Sequence, residues 1–392
     1  MKSLRENLAG YNQEAHVILA ATVSCFLPFY ITAIFIPVIG IYLMIKKSCR
    51  DSILHRRSTV LLIIFTILTA VSAAAAGNIF GLACSFFFFF VVIIMQFSRK
   101  VMTENLFEVI THLCCVFSVG ITGSAIFEKL IYISLSRDNV GRRCQSFFFN
   151  PNYMGTMLAI CIIICAYKVI CKKGSKLLFY SITLLDCIGL YLSGSMFAWI
   201  AIFVGVSALL LLNKEHQMLS IFLLVAAVMC LVVATSPEIL PRLKESVFTT
   251  ENRISIWKTS IDEIPNSPFF GKGFFTYFHI QSGIPGSYPT THAHNLIIDS
   301  LLSYGFVGSA LGLGYFTIYF LQLGKCHSSH VTNQISSFIM ALAAAIIIHS
   351  MIDLTILWVQ TGLLVAVLLG GVGAEEKTPY KEKENDYVQV DR

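Results

Sequence analysis

The sequence predicts an all-α, polytopic membrane protein with about twelve transmembrane helices and one large extracytoplasmic loop. Composition, run length and charge placement predict it. Only 13% of the 392 residues are charged and 56% are hydrophobic, whereas ordinary soluble domains carry about 25% charge; the mean hydropathy is +0.74. Apolar runs long enough to cross a bilayer recur along the chain. Lysine and arginine gather in a few connections, which marks those connections as cytoplasmic.

Residues 1–15 are polar with mixed charge, and the apolar run after them lacks an A-x-A-like end, so no cleaved signal peptide is expected. Two spans follow near 16–30 and 31–46, a stretch in which Pro28 and Pro37 fit either a tight hairpin or one kinked helix. Further spans fall near 58–76, 79–96, 105–124, 153–170, 176–192, 195–212 and 218–235. The last three fall near 295–322, 332–351 and 354–373. Lys46, Lys47, Arg50, Arg56 and Arg57 crowd one connection, Arg99 and Lys100 another, and Lys168, Lys172, Lys173 and Lys176 a third. These anchors give a cytoplasmic N-terminus (1–15), nine helices (16–235), an outer loop (236–294), three helices (295–373) and a solvated, disordered cytoplasmic tail (374–392). Residues 125–152, the turn at Ser193 to Ser195 and the turn around His349 and Asp353 share the outer face with the loop.

Most of the twelve cysteines, Cys25, Cys84, Cys161 and Cys165 among them, sit inside apolar runs without paired spacing and read as small hydrophobes rather than disulfides or metal ligands. The outer loop is far longer than ordinary connections, which points to function. In "ENRISIWKTSIDEI", Ile254, Trp257, Ile261 and Ile264 recur at helical spacing, so the reading is an amphipathic helix on the membrane surface capped by Thr250. In "PNSPFFGKGFFTYF", Pro268, Gly271 and Gly273 read as tight turns; a phosphate cradle would need further support, because no strand or lysine-serine pair accompanies the glycines. Five basic residues of the loop (Arg242, Lys244, Arg253, Lys258, Lys272) are balanced by five acids (Glu238, Glu245, Glu251, Asp262, Glu263), which argues against nucleic acid as a partner.

The loop re-enters the membrane through "YPTTHAHNLIIDSLLSYGFVG", residues 288–308. With a helix starting near Thr291, His292, Asn295 and Asp299 fall on one face and His294 points elsewhere. An imidazole accepts a proton from a hydroxyl near neutral pH, which suits a general base. H-x-H lacks the i, i+4 spacing of a helical zinc site and has no cysteine or glutamate beside it, so no metal is expected.

With these residues in hand the chain resembles the O-antigen ligase and O-antigen polymerase family of multispan glycosyltransferases. The resemblance runs in order through "FFFNPNYMG" (147–155), "SGSMFAW" (193–199), "NRISIWKTSI" (252–261), "PFFGKG" (268–273), "HAHNLIIDSLLSYGFVG" (292–308) and "HSMIDLTI" (349–356). It implies a GT-C-like bundle in the cytoplasmic membrane with the loop folded over a cavity. It implies metal-independent transfer with no cofactor, from a polyprenyl-diphosphate-linked glycan to the hydroxyl of a glycan or glycolipid acceptor. Membrane lipids surround the reactants. In the family's pattern Arg253 matches the loop arginine, and His294 with Asn295 matches the histidine motif.

One departure stands out: the family usually has arginine after the S-x-S turn, and this chain has Met196. Arg142 and Arg143 are the nearest replacements on the same face. The expected catalytic pair is therefore His294, as base, and Arg253, with Arg142 or Arg143 also on the diphosphate. Asn152, His292, Asn295, Asp299 and Ser195 are expected to contact or orient substrate, and the product should have inverted configuration. Ligase and polymerase differ only in the acceptor. A flippase would need ionisable groups along the membrane path, and Asp186 is the clearest of few.

Overall fold

The computed structural model describes residues 12–54, 57–135, 141–239, 246–328 and 334–377. Its described residues are mostly helical, with no strand among them. In chain order the helices are α1 Gln13–Ser24, α2 Phe29–Ile45, α3 Lys47–Leu54, α4 Arg57–Ala75, α5 Ile79–Val101, α6 Glu104–Leu135, α7 Pro151–Ile170 and α8 Lys176–Ser193. Then come α9 Met196–Leu212, α10 His216–Thr235, α11 Ser246–Glu263, α12 Thr276–Ile280, α13 Leu296–Ser328, α14 Gln334–Ser350 and α15 Val359–Leu369.

Every apolar segment read from the sequence forms a helix, in keeping with a polytopic membrane protein, though the count of twelve spans is not confirmed. Among the described residues seven helices are long and apolar enough to cross a membrane, or eight if α2 and the start of α3, bent by 96°, make one span. Thr59–Ala75, Met196–Leu212 and Gln334–Ser350 are apolar but shorter. The first stretch is two helices rather than one kinked helix. At 12 residues, α1 reaches only about 18 Å, well short of a hydrocarbon core; Pro28 precedes α2, and the Thr32 hydroxyl donates to Ser24 O (2.7 Å) to hold the turn.

Helix α7 lies at the centre, buried almost without break from Met154 to Val169. Gly155 lets it close on the turn between α8 and α9, because a Cβ there would meet Ser195 Cβ at 2.4 Å. Helix α10 buries none of its residues; it leans on α9, with Phe203 and Phe222 stacked (5.9 Å). Helix α6 runs to Leu135, beyond the expected end at 124. Glu128 on this extension accepts from the Gln145 and Ser146 backbone N–H groups (3.0 and 2.8 Å) and so holds the segment leading to α7.

The outer loop is folded. Ile256 of α11 is buried with Tyr277, Ala293 and Leu302, and Trp257 and Ile264 pack against them. The inward side therefore differs from the expected stripe, since Ile254 and Ile261 are exposed. Thr250 lies inside α11, which begins at Ser246, rather than at its cap. Arg242, Lys244 and Glu245 lie outside the described residues.

The glycine turns clasp α13. Gly305 has φ 62 and ψ −171 and breaks the helix. The two amides after the break donate to the loop, Phe306 N to Pro268 O (2.8 Å) and Val307 N to Phe269 O (2.9 Å). Ser303 O, left without its helical partner, accepts from Gly273 N (2.9 Å), and Gly271 N donates to Ser267 O (3.0 Å). With both glycine amides engaged, the turn is a structural clasp and not an anion cradle.

At the opposite end Arg99 pairs with Glu376 and donates to Gln322 (2.7 Å). Glu375 accepts from Ser336 N (2.8 Å), and Lys377 donates to the carbonyls of Lys100 and Met102. The start of the expected disordered tail is thus docked helix through Lys377; residues 378–392 lie outside the described residues. None of the twelve cysteines forms a disulfide.

Candidate functional site

The site grows from the N-terminus of α13. That helix begins at Leu296, not near Thr291, because Asn295 caps it: its side-chain oxygen accepts from Ile297 N and Ile298 N (3.0 and 3.1 Å). His292, Ala293 and His294 form the turn ahead of the helix, with His294 in the left-handed region (φ 52). The expectation that His292, Asn295 and Asp299 share one helical face is replaced by local tasks. Asp299, buried, accepts from Ala293 N (2.8 Å). His294 N donates to His292 Nδ1 (3.2 Å), and the Asn295 amide donates to Met351 O (3.0 Å). Ala293, wholly buried under α11, anchors the turn to the loop.

The side chains converge on Asp353, which sequence reasoning left as an outer turn residue. His294 Nδ1 lies 3.0 Å from Asp353 Oδ1, and the Asn152 amide donates to Oδ2 (2.7 Å). His349 Nδ1 bonds the Asp353 carbonyl (3.1 Å), and His292 Nε2 stands 3.9 Å from Oδ1. Because a carboxylate only accepts, Nδ1 of His294 is assigned the proton and Nε2 the lone pair. Thr290 Oγ1 stands 2.9 Å from that Nε2.

Asn152 in turn accepts from the Arg143 guanidinium, whose Nε donates to Ser193 O (2.6 Å). Asn150 caps α7 through Asn152 N (2.8 Å). Hydrogen bonds therefore run unbroken from Ser193 through Arg143, Asn152, Asp353 and His294 to Thr290. Of the two replacement arginines, Arg143 is in this chain; Arg142 is exposed and lies over the Tyr132 ring (4.5 Å). Arg253 lies over the Phe197 ring (4.8 Å). Both Arg143 and Arg253 thus meet the turn between α8 and α9 that carries Met196. Ser195 is buried, and its N–H donates to Ser193 Oγ (3.1 Å).

Burial by itself would raise the Asp353 pKa, but the hydrogen bond from His294 and the surrounding rings of His294, His292 and His349 hold its carboxyl well below the usual range. Burial pushes His292 down to about 3, with His294 adding to the fall, so its ring is neutral at physiological pH. A neutral His292, a charged Asp353 and an available lone pair on His294 make an arrangement that can take one proton and stabilise the imidazolium that results.

His292, His294 and Asp353 also offer ligand atoms all within 4.8 Å of one another. Three ligands match the number at a catalytic zinc, but a proton already joins His294 Nδ1 to Asp353 Oδ1 at 3.0 Å. An ion would have to replace it. The signal for Asp353 was present in "HSMIDLTI", yet it lies 59 residues from His294, beyond any local spacing rule.

Against known proteins, the O-antigen ligase family profile matches residues 179–313, about a third of the chain, from α8 into α13. No curated protein matches the chain. The matched segment holds the serine turn, Arg253, the glycine clasp and His294; the helices around it supply Arg143, Asn152 and Asp353. Over this segment the chain, a multispan helical membrane protein, is similar to the O-antigen ligase family.

Proposed function

We propose that the protein is an inverting glycosyltransferase of the cytoplasmic membrane, acting on its outer face. It moves a glycan from a polyprenyl-diphosphate donor to an acceptor hydroxyl with neither metal nor cofactor. The observation that carries this reading is the His294–Asp353 pair (3.0 Å) set beside two arginines that meet one turn. In the reaction the acceptor oxygen attacks the anomeric carbon from the face opposite the diphosphate, and its proton passes to His294 Nε2. The bond from the anomeric carbon to the diphosphate oxygen breaks, and polyprenyl diphosphate leaves with the bonding pair. Arg253 and Arg143 stabilise the charge that develops there, through the forked, permanently charged contacts a diphosphate accepts. Asp353 keeps His294 in the productive tautomer and balances the imidazolium. A low-pKa diphosphate needs no general acid to depart. His292, Asn295, Asp299 and Ser195 support this machinery from outside the reacting atoms, while Arg142, exposed over the Tyr132 ring, is left out of it.

The test is transfer by purified protein from a polyprenyl-diphosphate glycan to candidate glycolipid and glycan acceptors, in EDTA and without nucleotide. Transfer to a glycolipid identifies a ligase, and chain extension a polymerase. The His294→Ala variant should lose about 10²- to 10⁴-fold in rate, the usual contribution of a general base, while still binding donor. Asp353→Asn should lose rate through the wrong tautomer. Activity that vanishes with EDTA and returns with zinc would overturn the metal-free reading. Retention of more than about a tenth of the rate in His294→Ala would overturn the base. Lipid-linked glycan crossing vesicles without transfer would indicate a transporter instead.

A further inference from the structure

The nitrogen that the mechanism needs free is already engaged. Thr290 Oγ1 lies 2.9 Å from His294 Nε2, within the range required between a general base and the hydroxyl it deprotonates, about 2.6–3.2 Å. The imidazole has one lone pair on Nε2, so Thr290 and an acceptor hydroxyl cannot hold it together. Thr290 is not there by chance of a loose loop. Its N–H donates to Gln281 Oε1 (2.7 Å), and the Gln281 carbonyl accepts from Ser287 Oγ (2.6 Å) and Ile284 N (3.2 Å). The Tyr277 hydroxyl, from the loop's buried cluster, donates to Tyr288 O (3.1 Å). The segment from Gln281 to Thr290 is therefore a built turn that delivers one hydroxyl to the base.

We propose that Thr290 is a stand-in for the acceptor hydroxyl: it occupies His294 Nε2 until a sugar displaces it, and so keeps the base from activating water against the donor. The proposal rests on His294 being the base. Its chemistry concerns an unwanted reaction that balances as transfer does. Water oxygen would bond to the anomeric carbon, its proton would pass to Nε2, and polyprenyl diphosphate would leave, wasting the glycan. A sugar acceptor, bound by more than one contact, can displace the Thr290 hydroxyl. A lone water competes poorly with a tethered hydroxyl.

The experiment measures acceptor KM, kcat and acceptor-free donor hydrolysis for the wild type, Thr290→Ala, Thr290→Val and Thr290→Ser. Removal of one competing hydrogen bond should lower acceptor KM by about 2- to 10-fold in Thr290→Ala, with kcat changing less. Free glycan released from donor without acceptor should rise by a similar factor. Thr290→Val keeps the volume but donates nothing, so it should also lower acceptor KM, and it serves if the alanine variant folds poorly. Thr290→Ser keeps the hydroxyl and should keep both wild-type values. Unchanged KM and hydrolysis in the alanine and valine variants, or a serine variant that behaves like alanine, overturns the stand-in. Loss of transfer in His294→Ala with those results leaves the base reading intact; transfer surviving in His294→Ala removes both.

Discussion

At the scale of single residues one position departs from the pattern of the O-antigen ligases that the chain resembles. The family's arginine after the serine turn is absent, and Met196 is half-buried there. Arg143 reaches the same turn from the other side, through its Nε to Ser193 O (2.6 Å). If it holds the diphosphate, Arg143→Ala should weaken donor binding and turnover together by about 10- to 100-fold, the usual worth of a charged hydrogen bond. Arg142→Ala should change little, since its charge faces solvent over Tyr132. Installing Met196→Arg should soften the Arg143→Ala loss, read as a coupling energy in the double-mutant cycle. An Arg143→Ala enzyme with full transfer rate would end the idea. His294, Arg143 and Asn152 were legible in the sequence because their chemistry is announced by residue type at a polar mouth. Asp353 was not, because its meaning comes from a contact closed by tertiary folding. Asn295 and Asp299 were placed on the wrong local frame for a related reason: a helix start five residues later, at Leu296, makes Asn295 the cap and leaves Asp299 accepting from Ala293 N.

At the scale of elements, apolar runs announced the long helices, since twenty apolar residues have few other ways to satisfy their backbone in lipid; the polar helix α3 was read as a connection. Breaks and extensions were not announced. Helix α13 reads as one continuous run, yet Gly305 divides it and hands two amides to the loop. Gly305→Ala should therefore destabilise strongly. A Cβ would lie 2.4 Å from the Phe269 carbonyl carbon, and the φ, ψ pair belongs to a region open essentially to glycine alone, a strain of about 1–3 kcal/mol before the clash is counted. Thermal unfolding in detergent should show it. A melting temperature equal to the wild type's would mean that α13 can straighten and release the clasp at no cost. The same limit applies to α11, whose apolar stripe was read for a lipid surface. The neighbours that fix its inward side, Tyr277 and Leu302, come from elsewhere in the chain.

At the scale of the whole molecule, α7 sets the two ends. Asn152 stands at its start beside Asp353, and Lys168 at its end is paired with Glu108. Lys168 lies sixteen helical steps after Asn152, about 24 Å at 1.5 Å each, near the thickness of a hydrocarbon core. The basic connections therefore belong on the side away from the site, which makes the topology testable. A membrane-impermeant maleimide added to intact cells should label cysteine placed at exposed Ser282 and not at exposed Lys172. The reverse pattern would put His294 on the cytoplasmic side and remove the proposed mechanism with it.

The chain of hydrogen bonds from Ser193 to Thr290 also has a consequence for biosynthesis. Its members come from residues 143–152, from the end of α8, from the turn before α13 and, last, from Asp353 after α14. As the polypeptide leaves the ribosome, the base and both arginines are made long before the carboxylate that orients the base. A nascent chain that has inserted only as far as α13 holds His294 without the Asp353 carboxylate that bonds its Nδ1. On the proposed mechanism, the His294–Asp353 pair closes only once α14 and the residues after it are in place, so competence to react would arrive with the final hairpin of α14 and α15.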